Sequence, residues 1–516
     1  MRFERSSGIL LHPTSLPGAF GIGDLGEQAY KFVDMLAACQ QQLWQICPLG
    51  PTGYGDSPYQ CFSAFAGNPL LINLEMLVKQ GFLSQEDLKV PVKFDEHSVD
   101  YGPVIQCKTA LLKKAYHVFV TTATAEQRQG YEKFCQEEKS WLEDYALFMA
   151  LKEHHNGAMW NTWEKDLLKR RPAVLESWKQ QLEPAIGYQQ FIQYCFFTQW
   201  RALKAYANEH GIKIIGDVPI FVAYDSADAW AHPDLFFFDE DGQPTYVAGV
   251  PPDYFSLTGQ LWGNPLYRWD VMKKRKYVWW IARIAKTLEL VDIIRLDHFR
   301  GFAKYWRVPA GETTAVKGTW EPGPGKSLFH AVEKALGKLP IIAEDLGVIT
   351  PDVVKLREAF EFPGMKILQF AFDSKEDNDY LPHTYEKNCV VYTGTHDNDT
   401  TRGWYEKCLP EDADQVRKYL QTDGRDICWN FIHAAWSSVA DMAIMPLQDL
   451  LGLGSEARMN TPATSGQNWK WRFTWDMIPQ HVLDRLAMFT QIYGRAAIDS
   501  TDAQEEESKT LQARNK

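Results

Sequence analysis

Eight short apolar runs, each ending in a turn or at a polar side chain, recur along the sequence. Such runs are typical of buried β-strands, and helical periodicity between most of them predicts connecting helices. The predicted strands cover residues 8–13, 43–49, 213–221, 291–298, 339–346, 365–372, 389–397 and 442–448. Eight strands that alternate with helices predict a (β/α)8 TIM barrel, a fold of the α/β class.

Two intervals between the predicted strands are too long to be simple loops. Residues 50–212 separate the second strand from the third, so we predict a large, mainly helical insertion at about 70–212. Residues 223–273 are rich in Pro, Gly, Asp and aromatic residues and predict a second insertion, a long ordered loop over the barrel mouth. Residues 499–516 have few apolar side chains and are predicted to be disordered. The sequence therefore predicts one elaborated barrel domain over residues 1–498.

Composition and charge narrow the class of protein. The 516-residue chain is 45% hydrophobic and 23% charged, which is typical of a globular protein. Its net charge of −12, without a basic stripe, argues against nucleic acids and anionic membranes as partners. No apolar run approaches the roughly 18 residues that span a bilayer, and we see no secretory signal. Nine cysteines without a CxxC pair predict free thiols and a cytoplasmic protein.

Several predicted strands finish on a polar side chain in an otherwise apolar run. These strand ends are His12, Asp217, Asp297, Glu344, His396 with Asp397, and Gln448. The carboxyl ends of the strands form the active-site face of such a barrel. A polar side chain buried without a partner costs several kcal/mol, so we expect these groups to meet substrate at one rim.

The carboxylates among them suggest glycosidic chemistry. Arg295 and Asp297 are two residues apart on one strand and face the same side, so the guanidinium should lower the pKa of Asp297 and keep it ionised as a nucleophile. A purely structural ion pair is the alternative. Glu344 follows three apolar residues, where a raised pKa suits a general acid, whereas Asp345 fits a helix cap. Retaining glycosidases pair such a nucleophile with such an acid.

The histidines raise the alternative of a metal centre. The imidazole and carboxylate groups that could form it are His12, Asp217, His298 and His396. They show neither HExxH nor any other close ligand spacing, so we predict no metal and no cofactor.

A series of longer motifs runs in order through nearly the whole chain. They are GILLHPTSLPG (8–18), PLGPTGYGDSPYQ (48–60), SAFAGNP (63–69), GDVPIFV (216–222), GVPPDYFS (249–256), GQLWGNPLY (259–267), RLDHFRG (295–301), AEDLG (343–347), LQFAFD (368–373), TGTHDNDT (393–400) and GQNWKWR (466–472). With these motifs the chain resembles the amylomaltase or disproportionating-enzyme family, the 4-alpha-glucanotransferases, in its shorter form. The resemblance implies a barrel with helical insertions and no separate C-terminal β-domain.

The resemblance also implies roles for individual residues. It makes Asp297 the nucleophile, Glu344 the acid/base and Asp397 the transition-state stabiliser. Further implied substrate contacts are Ser57, Tyr59, Asp217, Trp262, Arg295, His298, Asp373, His396 and Asn468. The implied reaction transfers a segment of an alpha-1,4-glucan, such as a maltooligosaccharide, starch or glycogen chain, to the 4-hydroxyl of another glucan or glucose with retention. A retaining alpha-glucan hydrolase and a catalytically inactive carbohydrate-binding barrel stay as alternatives.

One loop is predicted to control the access of water. Residues 249–267 carry Tyr254, Phe255, Leu257, Leu261 and Trp262 among Pro and Gly residues. A lid of this kind would exclude water from a covalent intermediate, while packing of the aromatics on the barrel rim is the alternative.

Overall fold

The computed structural model describes residues 3–252, 256–373, 378–464 and 466–497. Within these ranges the strands are β1 (Ser6–Leu10), β2 (Leu43–Gln45), β3 (Lys213–Val218), β4 (Tyr246–Val250), β5 (Gln260–Pro265), β6 (Ile293–Leu296), β7 (Lys304–Pro309), β8 (Thr319–Pro322), β9 (Ile341–Ala343), β10 (Gly364–Ile367), β11 (Cys389–Tyr392) and β12 (Met442–Pro446). The predicted disordered segment, 499–516, lies outside the described residues.

Nineteen α-helices occur in the same ranges. They are α1 (Glu27–Ala38), α2 (Leu74–Lys79), α3 (Tyr101–Thr122), α4 (Ala125–Glu137), α5 (Lys139–His154), α6 (Lys165–Leu168), α7 (Pro172–Gln181), α8 (Glu183–Glu209), α9 (Ala227–Ala231), α10 (Trp269–Lys274), α11 (Val278–Leu290), α12 (Arg300–Ala303), α13 (Lys326–Leu336), α14 (Pro351–Ala359), α15 (Thr401–Lys407), α16 (Pro410–Leu420), α17 (Ile427–Ser437), α18 (Leu447–Leu450) and α19 (Gln480–Ile492). Among the helices of the described part, none has both the length and the apolar character needed to cross a membrane.

Eight parallel strands form the barrel, in the order β10-β11-β12-β1-β2-β3-β6-β9. The sheet closes between its two ends, because the Ala343 N–H donates to the Pro363 carbonyl over 2.9 Å. At the same seam Asp345 Oδ1 accepts the N–H of Met365 at 2.8 Å. All eight predicted strands are present and the predicted barrel is confirmed. The helix-cap interpretation of Asp345 is wrong, because this carboxylate joins the closing strands while α14 begins only at Pro351.

Alternating side chains build two apolar layers. One set of buried residues forms its own cluster, made up of Met459 and, from the barrel strands, Leu10, Leu43, Ile215, Ile293, Ile342, Met365, Ile367, Val390, Tyr392, Met442 and Ile444. The intervening residues, such as Ile9, Trp44 and Ile294, belong to the larger cluster shared with the helices. Strands buried on both faces give continuous apolar runs, which is why the sequence showed them so clearly.

The two insertions differ in character. Helices α2–α8 fill the interval between β2 and β3. The second insertion, which the sequence predicted to be a long ordered loop, contains α9, β4 and β5. These two strands pair with each other and join a four-stranded antiparallel sheet in the order β5-β4-β7-β8. Since β7 lies beyond β6 in the chain, no local pattern could reveal its pairing with β4.

Candidate active site

Two carboxylates stand at the ends of neighbouring barrel strands. Asp297 directly follows β6 and Glu344 directly follows β9. The Asp297 N–H donates to the Val218 carbonyl and the Glu344 N–H donates to the Leu296 carbonyl, each over 3.0 Å. Barrel hydrogen bonding therefore continues through both residues and fixes where their side chains begin.

The Glu344 carboxyl is held by backbone donors and lies close to a like charge. Its two oxygens accept the N–H groups of His298 at 2.7 Å and Leu346 at 2.9 Å. His298 has a left-handed φ of 52°, a tight turn immediately after Asp297. Burial and then the charge of Asp297 raise the pKa of Glu344 to about 7, against the opposing effects of Arg295 and these N–H groups. A carboxyl with such a pKa can act as a general acid near neutral pH.

Arg295 connects Asp297 to a second aspartate. Its Nη1 donates to Asp217 Oδ2 at 2.6 Å and to Asp297 Oδ1 at 3.0 Å. Burial raises the pKa of Asp297 to about 6, and Arg295 works in the opposite direction. The predicted lowering by the guanidinium is present, but the prediction of a net decrease is wrong because burial is the larger effect.

A third carboxylate lies in the loop after β11. Asp397 Oδ2 is 3.5 Å from His396 Nε2, and its Oδ1 accepts the side-chain amide of Asn460 at 2.6 Å. Burial opposes the charge of Asp397, but His396 and Asn460 hold its pKa well below the usual range. In return, Asp397 outweighs burial and raises the pKa of His396. Half of the Asp397 side chain is exposed, so an ionised oxygen faces the cleft.

Tyr59 joins these groups from the insertion after β2. Its hydroxyl donates to Asp217 Oδ2 at 2.8 Å and lies 3.4 Å from His396 Nδ1. Its ring stacks on the His396 imidazole at 4.9 Å, and the Trp469 ring lies 5.7 Å from Tyr59. Asp217 Oδ1 is buried and has no hydrogen-bond partner among the described residues. The arrangement offers an aromatic wall and a spare acceptor for a sugar hydroxyl.

One buried carboxylate fixes both ends of the loop that carries His396 and Asp397. Asp449, at the start of the segment after β12, is fully buried. It accepts the Thr393 hydroxyl at 2.5 Å, the Thr401 N–H at 2.7 Å and the Thr401 hydroxyl at 2.7 Å. The position of the loop therefore depends on a residue far from the cleft surface.

The predicted lid residues that the structure describes are Leu257, Leu261 and Trp262, and of these Trp262 packs against a residue of the candidate site. Its ring meets the His298 imidazole edge to face, with centroids 4.7 Å apart, and so stands beside the turn that holds Glu344. Tyr254 and Phe255 lie outside the described residues. The lid stays a prediction.

Three other predicted substrate contacts are engaged within their own loops, namely Ser57, Asp373 and Asn468. The Ser57 hydroxyl accepts the Tyr59 N–H at 3.2 Å. Asp373 Oδ1 accepts the side-chain amide of Asn378 at 2.9 Å, and Asn468 Oδ1 accepts the Thr461 N–H at 3.0 Å. Substrate contact by these three residues stays a prediction.

The remaining polar strand ends are buried. Burial lowers the pKa of His12 to about 3, so its ring is neutral, and the Gln448 side-chain amide donates to the Ala457 carbonyl at 3.1 Å. Across the described ranges, no three His, Cys, Asp or Glu side chains are grouped so that they could hold a metal ion.

Three residues around Asp397 escaped the sequence analysis. Asn460 donates to the carboxylate of Asp397, and Arg458 donates to the backbone carbonyl of Asp397 at 2.6 Å. The rings of Trp469 and His396 lie 6.0 Å apart. Trp469 belongs to the motif at 466–472, which is the signal that could have found it. Arg458 and Asn460 follow no strand and no recognisable motif, so only the fold identifies them.

Known proteins are similar in sequence to this chain over almost its full length. The sequence pattern of the family described as 4-alpha-glucanotransferase matches residues 11–477. A 4-alpha-glucanotransferase of Synechocystis sp. is 52% identical over 496 residues, which cover 95% of this chain and 98% of the relative. One from Thermus thermophilus is 50% identical over 490 residues, covering 93% and 97%.

A solved structure is similar to the same extent. Amylomaltase from Streptococcus agalactiae in complex with acarbose superposes with a TM-score of 0.93 at 41% sequence identity. The match covers 96% of this chain and 100% of that one, so the barrel and both insertions have counterparts there.

Proposed function

Because the chain belongs to the 4-alpha-glucanotransferase family, we propose that it transfers a segment of an alpha-1,4-glucan to the 4-hydroxyl of another glucan or of glucose. The proposed route is a double displacement with retention. The observation that carries it is the pair Asp297 and Glu344 on adjacent strand ends, linked through the His298 N–H at 2.7 Å from Glu344.

In the first displacement Asp297 attacks the anomeric carbon. Its oxygen forms a bond to that carbon while the glycosidic C–O bond breaks. Glu344 gives its proton to the departing oxygen, so the leaving glucan departs with a neutral 4-hydroxyl. A covalent glucosyl ester of Asp297 remains, and Glu344 is left ionised.

In the second displacement an acceptor glucan replaces the leaving group. Glu344 removes the proton from the acceptor 4-hydroxyl, and the oxygen attacks the anomeric carbon and releases Asp297 as a carboxylate. Two inversions give net retention. Water is the competing acceptor, so the proposed lid around Trp262 would favour transfer by excluding it.

The surrounding groups support the charge that develops on the sugar. Asp397 is ionised and half exposed, which suits stabilisation of an oxocarbenium-like transition state. Asp217 and Tyr59 share a hydrogen bond of 2.8 Å and present an acceptor and an aromatic face to one glucose unit. Arg295 binds both Asp217 and Asp297 and so fixes the positions of the two carboxylates relative to each other.

Two observations support the substrate class and the cellular location that we propose. Neutral alpha-1,4-glucans fit a cleft whose cation, Arg295, is already paired with carboxylates. All nine cysteines are free thiols, which supports the cytoplasmic location that we propose.

The decisive experiment is incubation with maltotriose and chromatography of the products. We expect glucose together with longer maltodextrins and little net gain in reducing ends. A steady rise in reducing ends without longer products would instead identify a hydrolase, and no product at all would favour a binding protein.

Two near-isosteric variants assign the carboxyl groups. Asp297→Asn and Glu344→Gln should each remove most activity on maltotriose while the fold is retained. Glu344→Gln should keep partial activity on a glucosyl fluoride, because fluoride leaves without a proton. Equal loss on both substrates would contradict the assignment of Glu344 as the acid.

A further inference from the structure

A cavity between the helical insertion and the outer side of the barrel takes no part in the proposed reaction. It has a volume of about 300 Å³ and lies between α5, α9 and α11. Aromatic side chains form much of its wall, namely Phe65, Trp141, Tyr145, Tyr277 and Trp279. Val278 at its edge is 65% exposed, so a small molecule can enter from solvent without any opening of the barrel.

Polar groups with unused hydrogen-bonding capacity line the same cavity. The indole N–H of Trp279 is buried and has no partner within the described part of the chain. The Ser63 hydroxyl oxygen accepts two backbone N–H groups at 3.1 and 3.2 Å, which leaves its hydrogen to donate. The Asp228 carboxylate is 5% exposed and uses Oδ2 for the Ala64 N–H at 2.8 Å.

The charged side chains of the cavity favour a neutral occupant. Asp144 is paired with Arg170 at 2.5 Å, and Arg275 is paired with Asp234. These ion pairs neutralise the most accessible charges of the wall. What remains is a set of aromatic faces with a few polar groups and the buried Asp228 carboxylate, which can accept a hydroxyl proton, and this composition suits a small neutral ligand with hydroxyl groups.

The cavity also lies next to the catalytic cleft. Ser63 and Phe65 form a wall that it shares with a narrower cavity of about 80 Å³, and that cavity extends to Tyr59 and Asp217. A ligand that contacts Ser63 and Phe65 therefore contacts the chain segment that carries Tyr59.

We propose that this cavity is an accessory binding site for one neutral pyranose ring, such as glucose or a terminal glucose unit of an alpha-glucan. The C–H face of the ring packs on the aromatic walls, and its hydroxyls pair with Trp279, Ser63 and Asp228. A volume at the lower end of ligand pockets, about 300 Å³, suits one ring rather than a chain. Only the choice of glucose rests on the proposed function.

The test is a titration of the full-length protein, labelled with 5-fluorotryptophan, with glucose. Glucose contains no glycosidic bond to cleave, so the ligand is not consumed. The fluorine signals of Trp279 and Trp262, assigned through Trp279→Phe and Trp262→Phe, report the cavity and the catalytic cleft separately. We expect the Trp279 signal to shift saturably with D-glucose, with a midpoint different from that of Trp262, and to stay in place with L-glucose.

A cavity-filling variant provides the matched control. Ala231 lines the cavity, and Ala231→Phe should weaken the D-glucose response of Trp279 at least tenfold while the rate of maltotriose disproportionation stays within twofold. A Trp279 signal that never moves in the wild-type protein, or that moves equally with both enantiomers, overturns the proposal even if Ala231→Phe fails to fold. The disproportionation assay tests the proposed function independently.

Discussion

Replacement of Asp449 by asparagine tests how far the position of the loop that carries His396 and Asp397 depends on one buried carboxylate. Oδ2 accepts the hydroxyls of Thr393 and Thr401, and Oδ1 accepts the Thr401 N–H. Asparagine keeps the shape and one acceptor, but its NH2 group must donate where a charged oxygen accepted. Hydrogen bonds to charged groups contribute about 1.5–3 kcal/mol and neutral ones about 0.5–1.5 kcal/mol.

The expected loss of stability is modest. Two weakened bonds cost about 2–3 kcal/mol, and removal of a buried charge offsets part of that, so unfolding free energy should fall by about 1–2 kcal/mol. The loop carries His396 and Asp397, however, and a displacement of about 1 Å at reacting groups costs about 100-fold in rate. We therefore expect kcat to fall at least tenfold in Asp449→Asn while KM changes less than threefold.

The assay is steady-state disproportionation of maltotriose, with urea unfolding of the same samples. Thr401→Val removes only the hydroxyl and should give a smaller loss of kcat, and Thr401→Ser should restore most of it. If Asp449→Asn lost stability but kept the wild-type kcat, the carboxylate would support the fold alone. Asp449 would then have no part in positioning His396 and Asp397.

Two further predictions concern pH and the base of the barrel. Asp297 must be ionised and Glu344 protonated, so kcat/KM should fall below about pH 6 and above about pH 7, and the alkaline limb should vanish for Glu344→Gln acting on glucosyl fluoride. A flat profile over this range would contradict the assignment. Arg495 is fully buried and donates to carbonyls that include those of Ser6 and Ala440. Arg495→Lys cannot reach them all and should lower the unfolding free energy by about 3 kcal/mol in urea titration without changing kcat; an unchanged midpoint would contradict this.

The barrel could be predicted because its signal is local. Each of the eight strands belongs to a short, largely buried run that ends in a turn, and the carboxylates Asp297 and Glu344 directly follow two of these strands. The antiparallel pairing of β4 with β7 has no such signal, since the partners are separated by β6 and depend on tertiary contact.

The supporting residues of the site were beyond prediction for the same reason. Asp449 reaches Thr393 across 56 positions, and Asn460 reaches Asp397 across 63. For Asp345 the local sequence pattern was misleading. A carboxylate shortly before a helix has the pattern of a helix cap, and the pattern is the same when the carboxylate instead joins the closing strands of a barrel. Only the position of Met365 decides between them.

The charges around Asp297 let one glutamate serve both displacements. Before attack, burial and then the Asp297 carboxylate raise the pKa of Glu344 and keep its proton in place. Once Asp297 is esterified by the sugar it is neutral, so this contribution disappears and the pKa of Glu344 falls. Arg295 is not left unpaired, because Asp217 still accepts its Nη1 at 2.6 Å. In the proposed mechanism the covalent step thus removes one of the two contributions that hold the proton on Glu344, and Glu344 then serves as the base that the incoming hydroxyl requires.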